Sequence, residues 1–172
     1  MTAPPAVRVR KARLEDAAAL ARCQLDCWQQ TYADMVDPDL LAAALADVEG
    51  RAGRWRSILS AEHATLLAEE GGAVVGFAST GPQRDDDSPA LLELYALYVR
   101  RGHQGRGIGH QLLTAAVGDA ASSLCVFRDN HRARAFYARH GYTADGVETW
   151  EEHFGAVEIR MVRPDPAAGS GP

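Results

Sequence analysis

Residues 99–113 read VRRGHQGRGIGHQLL, and they join an apolar strand pattern to an amphipathic helix pattern. Three glycines, Gly105, Gly107 and Gly109, lie at the junction. A glycine-rich turn that opens a helix exposes several backbone N–H groups at the positive end of the helix dipole. Such a turn is typical of a phosphate or pyrophosphate site.

Two common phosphate-binding motifs do not fit this turn. A P-loop needs Lys and Ser/Thr directly after its last glycine, whereas Ile108 follows Gly107. The dinucleotide fingerprint needs glycines at its first, third and sixth positions; Gly105 and Gly107 fit, but His110 occupies the sixth. What remains is the pattern Q-x-x-G-x-G that starts at Gln104. A plain strand–helix turn is the structural alternative, because glycine also serves tight turns.

The composition of the chain limits which classes of protein it can belong to and which partners it can bind. The 172 residues carry a net charge of −5, and this acidic balance argues against nucleic acid as a partner. No apolar run reaches the ~18 residues that span a bilayer, and we expect no membrane association. With three cysteines and no apolar leader, the chain is expected to be cytoplasmic. We predict one domain over residues 7–163, with flexible tails at 1–6 and 164–172.

Hydrophobic periodicity predicts an α/β fold with a mixed, mostly antiparallel sheet and helices on both faces. The run Gly71-Gly72 indicates a hairpin, and the strand–helix–strand order around the glycine turn requires one parallel pair. The predicted strands are 7–10, 63–69, 73–80, 90–99, 122–127, 142–153 and 156–162, and the predicted helices are 14–30, 39–48, 51–60, 108–119 and 130–140.

Two segments carry a resemblance to a known family. The pattern from Gln104 to Gly109 resembles the acyl-CoA pyrophosphate loop of the GCN5-related N-acetyltransferase (GNAT) superfamily. The later segment N-x-x-A-x-x-F-Y-x-x-x-G-Y, which starts at Asn130 and contains Tyr137, resembles the second hallmark of these enzymes. The two segments occur in the family's order, and the resemblance covers about residues 7–163.

The resemblance implies a sheet whose central parallel strands splay apart, so that acetyl-CoA enters the gap as co-substrate. Splayed strands leave backbone groups unpaired, and an amide-rich pantetheine arm pairs with such an edge as a strand would. The residues implied to bind it are Leu97, Tyr98, Val99, Gln104, Gly105, Arg106, Gly107, Ile108, Gly109, His110 and Asn130. For Asn130, the helix N-cap is an alternative role that is compatible with binding.

The resemblance also implies acetyl transfer to a primary amine, which is protonated at pH 7 because alkyl amines have a pKa near 10. A base must remove that proton, and the leaving thiolate needs a donor. Tyr137 aligns with the tyrosine that many GNAT enzymes use as general acid; a core aromatic is its structural alternative. We expect direct attack in a ternary complex, since Cys125 has no obvious His partner.

Glu93 is the candidate general base, because it is a carboxylate inside the apolar strand 90–99. A surface salt bridge is the alternative. Strand alternation places Glu93 on the face of Tyr95, Leu97 and Val99 unless a β-bulge intervenes.

The acceptor and the assembly are less constrained. The resemblance implies that Trp28 and Tyr32 form one wall of an acceptor pocket, although core packing also explains Trp28. The acceptor is a small-molecule or peptide amine, and the last strands are compatible with a homodimer. No metal-ligand spacing is present, so a metal-free enzyme is expected. A non-catalytic acyl-CoA-binding sensor or protein-interaction module is the alternative function.

Overall fold

The computed structural model describes residues 6–61 and 64–166. Its centre is a seven-stranded sheet with the spatial order β1-β2-β3-β4-β5-β7-β6. The strands are β1 (Arg8–Lys11), β2 (Ala64–Glu70), β3 (Ala73–Pro82), β4 (Leu92–Val99), β5 (Ser122–Phe127), β6 (Thr143–Glu151) and β7 (Ala156–Arg163).

Five α-helices and two short 3-10 turns complete the described structure. The helices are α1 (Ala17–Tyr32), α2 (Pro38–Ala46), α3 (Val48–Ser60), α4 (Ile108–Val117) and α5 (His131–Arg139). The predicted helix over 39–48 ends early, because the Asp47 side chain accepts a hydrogen bond from the N–H of Gly50 and caps α3. Residue 63 of the predicted strand and most of the two predicted tails lie outside the described residues. Within those residues, no helix has the length and apolar character needed to cross a bilayer.

The predicted mixed sheet is confirmed, and its single parallel pair is short. Strands β4 and β5 pair in parallel over only three positions, from Leu92 opposite Ser122 to Leu94 opposite Leu124. Every other neighbouring pair of strands is antiparallel. Beyond Leu94 and Leu124 the two central strands separate, as the resemblance implied.

The helices cover both faces of this sheet. On one face, α4 and α5 pack on a core that includes Leu112, Tyr142 and Ile159. On the other face, α1 and α3 pack on Phe77 and its neighbours. The apolar side chains of α4 recur with the 3.6-residue period of a helix, which is why one side of this helix is buried.

A β-bulge in β4 changes which side chains share a face. Ser79 pairs with Ala96 but Thr80 pairs with Leu94, so Tyr95 is the extra residue of the bulge. Leu94 therefore packs in the core beneath α4. Glu93 points to the opposite face, with Ala96 and Tyr98. The bulge is the exception that the sequence analysis allowed for, so Glu93 does not share the face of Leu97 and Val99.

Replacing Leu112 by Ala tests the core beneath α4. Leu112 is fully buried, whereas Leu91 at the start of the same sheet region is 90% exposed. Leu112→Ala should lower the free energy of unfolding by about 2–5 kcal/mol, because it removes buried contacts and leaves a cavity. Leu91→Ala should change it by about 0.5 kcal/mol or less. Urea denaturation measures both, and equal losses for the two variants would contradict this description of the core.

Candidate functional site

A cavity of about 500 Å³ lies where β4 and β5 separate. One strand contributes residues from Leu94 to Val99, and the other contributes Cys125, Val126 and Phe127. Helix α5, the glycine turn before α4, and the end of α1 complete its walls. The cavity is therefore a direct consequence of the short parallel pairing.

The glycine turn forms one end of the cavity. Gly105 and Gly107 have φ values of +76° and +79°, which favour glycine over any other residue. A Cβ atom at either position would meet nothing within 4 Å, so the space above the turn is open. Gly107 is the N-cap of α4 and supplies no side-chain cap, which leaves the first N–H groups of the helix available to an anion.

The predicted residues of this turn divide into two groups. Gly105, Gly107, Gly109 and His110 line the cavity, as does Gln104. Ile108 does not line it, because its side chain is buried in the core and anchors the helix start. Only the backbone N–H of Ile108 is then available for a ligand.

Arg106 is held away from the cavity by an acidic partner. Its Nη1 lies 3.1 Å from Oε2 of Glu70 at the end of β2, and this contact lowers the pKa of the Glu70 carboxyl. Among the described residues, the arginines that line the cavity are Arg132 and Arg139 of α5. Sequence reasoning missed both; the arginine-rich pattern of α5 was the available signal.

The three residues predicted to pair with a pantetheine arm do not point the same way. Arg100 donates its N–H to the carbonyl of Val75, so antiparallel alternation directs the backbone groups of Tyr98 toward β3. The backbone groups of Leu97 and Val99 face the gap instead. The side-chain Nε2 of Gln104 donates to the Val99 carbonyl over 2.8 Å and satisfies that group.

Asn130 caps a helix and also lines the cavity. Its Oδ1 accepts a hydrogen bond from the Ala133 N–H at 3.1 Å, which caps α5. The residue is 8% exposed and also lines the cavity. Capping thus fixes the start of α5 against the gap between the strands.

Tyr137 lies on the face of α5 that meets the cavity. Burial raises the pKa of its phenol, with smaller contributions from Tyr98 and Tyr142. Within the described part of the chain, the Tyr137 hydroxyl has no hydrogen-bond partner. A protonated phenol without an internal acceptor is a suitable donor to a ligand in the cavity.

The two predicted acceptor-wall residues are joined by Tyr98. The Tyr98 hydroxyl accepts from Nε1 of Trp28 at 3.1 Å and lies 2.7 Å from the hydroxyl of Tyr32. Tyr32 and Tyr98 line the cavity, whereas Trp28 packs behind them with Phe154. Trp28 therefore positions the wall, and Tyr32 forms part of its surface.

Glu93 forms a buried ion pair at the edge of the site. The residue is 3% exposed, and Arg84 binds its carboxylate through Nε at 3.1 Å and through the backbone N–H at 3.1 Å. Glu93 does not line the cavity. The pair attaches the 83–89 loop to the sheet, and Arg160 does the same through Asp87 at 2.6 Å.

Glu158 is a cavity residue that sequence reasoning missed. It lies on β7 opposite Phe127 of β5, and its side chain is partly buried. Burial, followed by the nearby charge of Glu151, raises the pKa of Glu158 to about 7. A carboxylate in this state can accept a proton at neutral pH.

Two histidines meet beside the glycine turn. Nδ1 of His110 lies 3.0 Å from Nε2 of His140, and Nδ1 of His140 lies 2.8 Å from the carbonyl oxygen of Phe136. No group of three or more His, Cys, Asp or Glu side chains is arranged for a metal in the described ranges.

Comparisons with known proteins agree with this geometry. The model of the Acetyltransferase (GNAT) family matches residues 19–142, a span that includes the glycine turn and Tyr137. The N-acetyltransferase YuaI of Bacillus subtilis is 35% identical, over 94% of this chain and 82% of its own length. PaiA N-acetyltransferase from Thermoplasma acidophilum, in complex with coenzyme A, superposes with a TM-score of 0.72 at 20% identity, over 92% of this chain and 99% of that one. YncA from Salmonella typhimurium, with its cofactor acetyl-CoA, gives 0.67 at 21% identity, over 92% and 94%.

Substituting Gly107 by Val tests the anion-binding role of the turn. The side chain would fill the open space above the turn, and we expect the Kd for coenzyme A to rise about 10- to 100-fold as charge-assisted hydrogen bonds are lost. Isothermal calorimetry with coenzyme A measures this change.

The matched control is Gly72→Val in the β2–β3 turn. Gly72 has a similar φ of +82° and also meets nothing within 4 Å, so the backbone strain is comparable but the site is remote. Unchanged affinity in Gly107→Val, or an equal loss in Gly72→Val, would remove the turn from the binding site.

Proposed function

Because this chain belongs to the acetyltransferase (GNAT) family and is an acetyl-CoA-dependent acyltransferase, we propose that it acetylates a primary amine by direct attack in a ternary complex. One observation carries the proposal. A single cavity extends from the glycine turn to Tyr137 and Tyr32, between two strands whose backbone groups are unpaired.

Successive parts of the cavity suit the pyrophosphate, the pantetheine arm and the acetyl group of acetyl-CoA, in that order. The N–H groups of residues 108–110 and the positive end of α4 would hold the pyrophosphate, with Arg132 and Arg139 adding charge. The backbone of Leu97 and the N–H of Val99 would pair with the amides of the pantetheine arm. The acetyl group would then lie near Tyr137.

Tyr137 is the proposed general acid. Its raised pKa keeps the phenol protonated at neutral pH, so the hydroxyl can donate to the sulfur as the C–S bond breaks. The absence of a hydrogen-bond acceptor among the described residues leaves that proton directed to the ligand. The amine enters from the wall formed by Tyr32 and Tyr98, which is on the other side of the sheet.

Direct attack is favoured over an acyl-enzyme. Cys125 is a cysteine that lines the cavity, and burial and the charges of Glu158 and Glu93 raise the pKa of its thiol to about 12. At pH 7 this group is a thiol, and the thiolate is the nucleophilic form. A kinetic burst, or a thioester trapped on Cys125, would contradict direct attack.

The base is a carboxylate. The sequence predicts Glu93, but its two oxygens are engaged by Arg84 and it lies outside the cavity wall. Glu158 lines the cavity.

Thiol release from acetyl-CoA against a panel of alkyl amines, amino acids and peptide N-termini tests the proposed function. Turnover with at least one amine is expected. If coenzyme A binds tightly but no amine is acetylated, the non-catalytic binding module becomes the better description.

Substituting Tyr137 by Phe tests the general acid. The variant should lose about 10²-fold in kcat, because the thiolate loses its proton donor, while the Kd for acetyl-CoA changes little. Steady-state kinetics and calorimetry measure the two quantities.

Tyr142→Phe is the control for loss of a buried hydroxyl. The Tyr142 hydroxyl bonds to Ser122 at 2.6 Å inside the core, so its removal should affect the melting temperature more than kcat. A Tyr137→Phe variant with wild-type kcat would assign Tyr137 to packing alone.

A further inference from the structure

We propose that Glu158 is the general base that takes the proton from the acceptor ammonium. The inference rests on the proposed acetyl transfer and adds the residue that prepares the amine for attack. It also implies an acceptor that arrives as a cation, since a carboxylate at the cavity wall attracts an ammonium group.

The position of Glu158 relative to α5 supports this role. Its neighbour Ile159 packs in the core on the α4 and α5 side of the sheet. Strand alternation therefore directs Glu158 to the opposite face, while Tyr137 reaches the cavity from α5. The proposed acid and base thus approach the gap from opposite sides, so the base can act on the entering amine while the acid acts on the sulfur of the tetrahedral intermediate.

The Glu158 carboxylate has no hydrogen-bond or ion-pair partner among the described residues. Glu93, by contrast, is bound by three donors of Arg84. A carboxylate saturated by a guanidinium holds a loop in place, whereas a carboxylate without a partner on a cavity wall is available to a ligand.

The charges around Glu158 explain its protonation behaviour. Burial and the carboxylates of Glu151 and Glu93 raise its pKa to about 7, and Arg84 opposes them. The other titratable groups that face it are Cys125 on β5, Tyr98 on β4 and Tyr32 on α1. Burial raises the pKa of each of these three groups, so all are neutral at pH 7 and do not compensate the carboxylate.

The proton balance of the reaction is complete with these residues. The ammonium gives one proton to Glu158, which passes it to solvent, and the neutral amine forms a C–N bond with the acetyl carbon. The tetrahedral intermediate loses a second proton from nitrogen, and its C–S bond breaks. The departing thiolate takes a proton from the Tyr137 hydroxyl. The proton that the nitrogen lost then reaches Tyr137 through solvent and protonates it again.

Glu158→Gln tests the proposal with the alkyl amine that gives the highest turnover in the panel. In the wild-type enzyme, kcat/KM should rise with pH as Glu158 ionises near pH 7 and then level off. The variant needs an amine that is already neutral, so its kcat/KM should be about 10²-fold lower at pH 7. It should then rise roughly tenfold per pH unit toward the pKa of the amine near 10, and the deficit should largely disappear.

Two further variants distinguish a general base at Glu158 from a general effect of surface charge and from a general base at Glu93. Glu148→Gln removes the same charge from an exposed residue of β6 that pairs with Arg128, and its pH profile should match the wild type. Glu93→Gln should lower the melting temperature by freeing Arg84 but keep the rise, moved to lower pH because Glu93 no longer raises the pKa of Glu158. A profile that loses this rise in Glu93→Gln and keeps it in Glu158→Gln would overturn the proposal and assign the base to Glu93.

A measurement without turnover completes the test. In protein labelled with ¹³C-glutamate, one carboxyl resonance should titrate near pH 7 and be missing from Glu158→Gln. Since the raised pKa opposes folding of the ionised form, the variant should melt at or above the wild-type temperature at pH 8 and at the same temperature at pH 4. The proposal fails if no carboxyl titrates near pH 7. By contrast, a normal titration without acetylation of any amine would count against the proposed function.

Discussion

The structure depends on the short length of the parallel pairing between β4 and β5. Three paired positions hold the strands together, and the strands then separate with unpaired backbone groups on both edges. Buried N–H and C=O groups need partners, so this gap is stable only where side chains, water or a ligand supply them. Gln104 satisfies the Val99 carbonyl from within the chain. The remaining groups form an unpaired strand edge, to which an amide-rich ligand could add as a substitute strand would.

The same separation opens a passage between the two faces of the sheet. One face carries α4 and α5, with the glycine turn and Tyr137. The other face carries the aromatic wall of Tyr32 and Tyr98, with Glu158 beside it. Residues from both faces of the sheet therefore line one cavity. The ion pairs of Arg84 with Glu93 and of Arg160 with Asp87 hold the 83–89 loop against the second face, so they shape the site.

Sequence reasoning succeeded where the determinants are local. The turn before α4 needs glycines at positive φ, and the cap of α5 needs Asn130, so short motifs identify both. For Glu93 the sequence left the facing open, because strand alternation holds only where no bulge intervenes. The bulge at Tyr95 places Glu93 on the face of Ala96 and Tyr98. Glu158 was missed for a different reason. Its strand alternates between apolar and charged residues, as an ordinary half-exposed strand does, and only the tertiary separation of β4 from β5 places a cavity beside it.

The contrast between the two carboxylates shows how the fold assigns different roles to one residue type. Glu93 is more deeply buried, yet Arg84 offsets the desolvation of its charge, and the ion pair connects the loop to the sheet. Glu158 is less buried, but it has no direct ion-pair partner, and the carboxylates of Glu151 and Glu93 add to the cost of removing its charge from water. The opposing effect of Arg84 does not offset this cost, so the charged form of Glu158 is disfavoured. An uncompensated carboxylate reduces stability above neutral pH, because the folded protein binds its proton more tightly than the unfolded chain does. An acceptor ammonium would supply the missing positive charge, so the group that weakens the free protein is the one best placed to bind and deprotonate a cation.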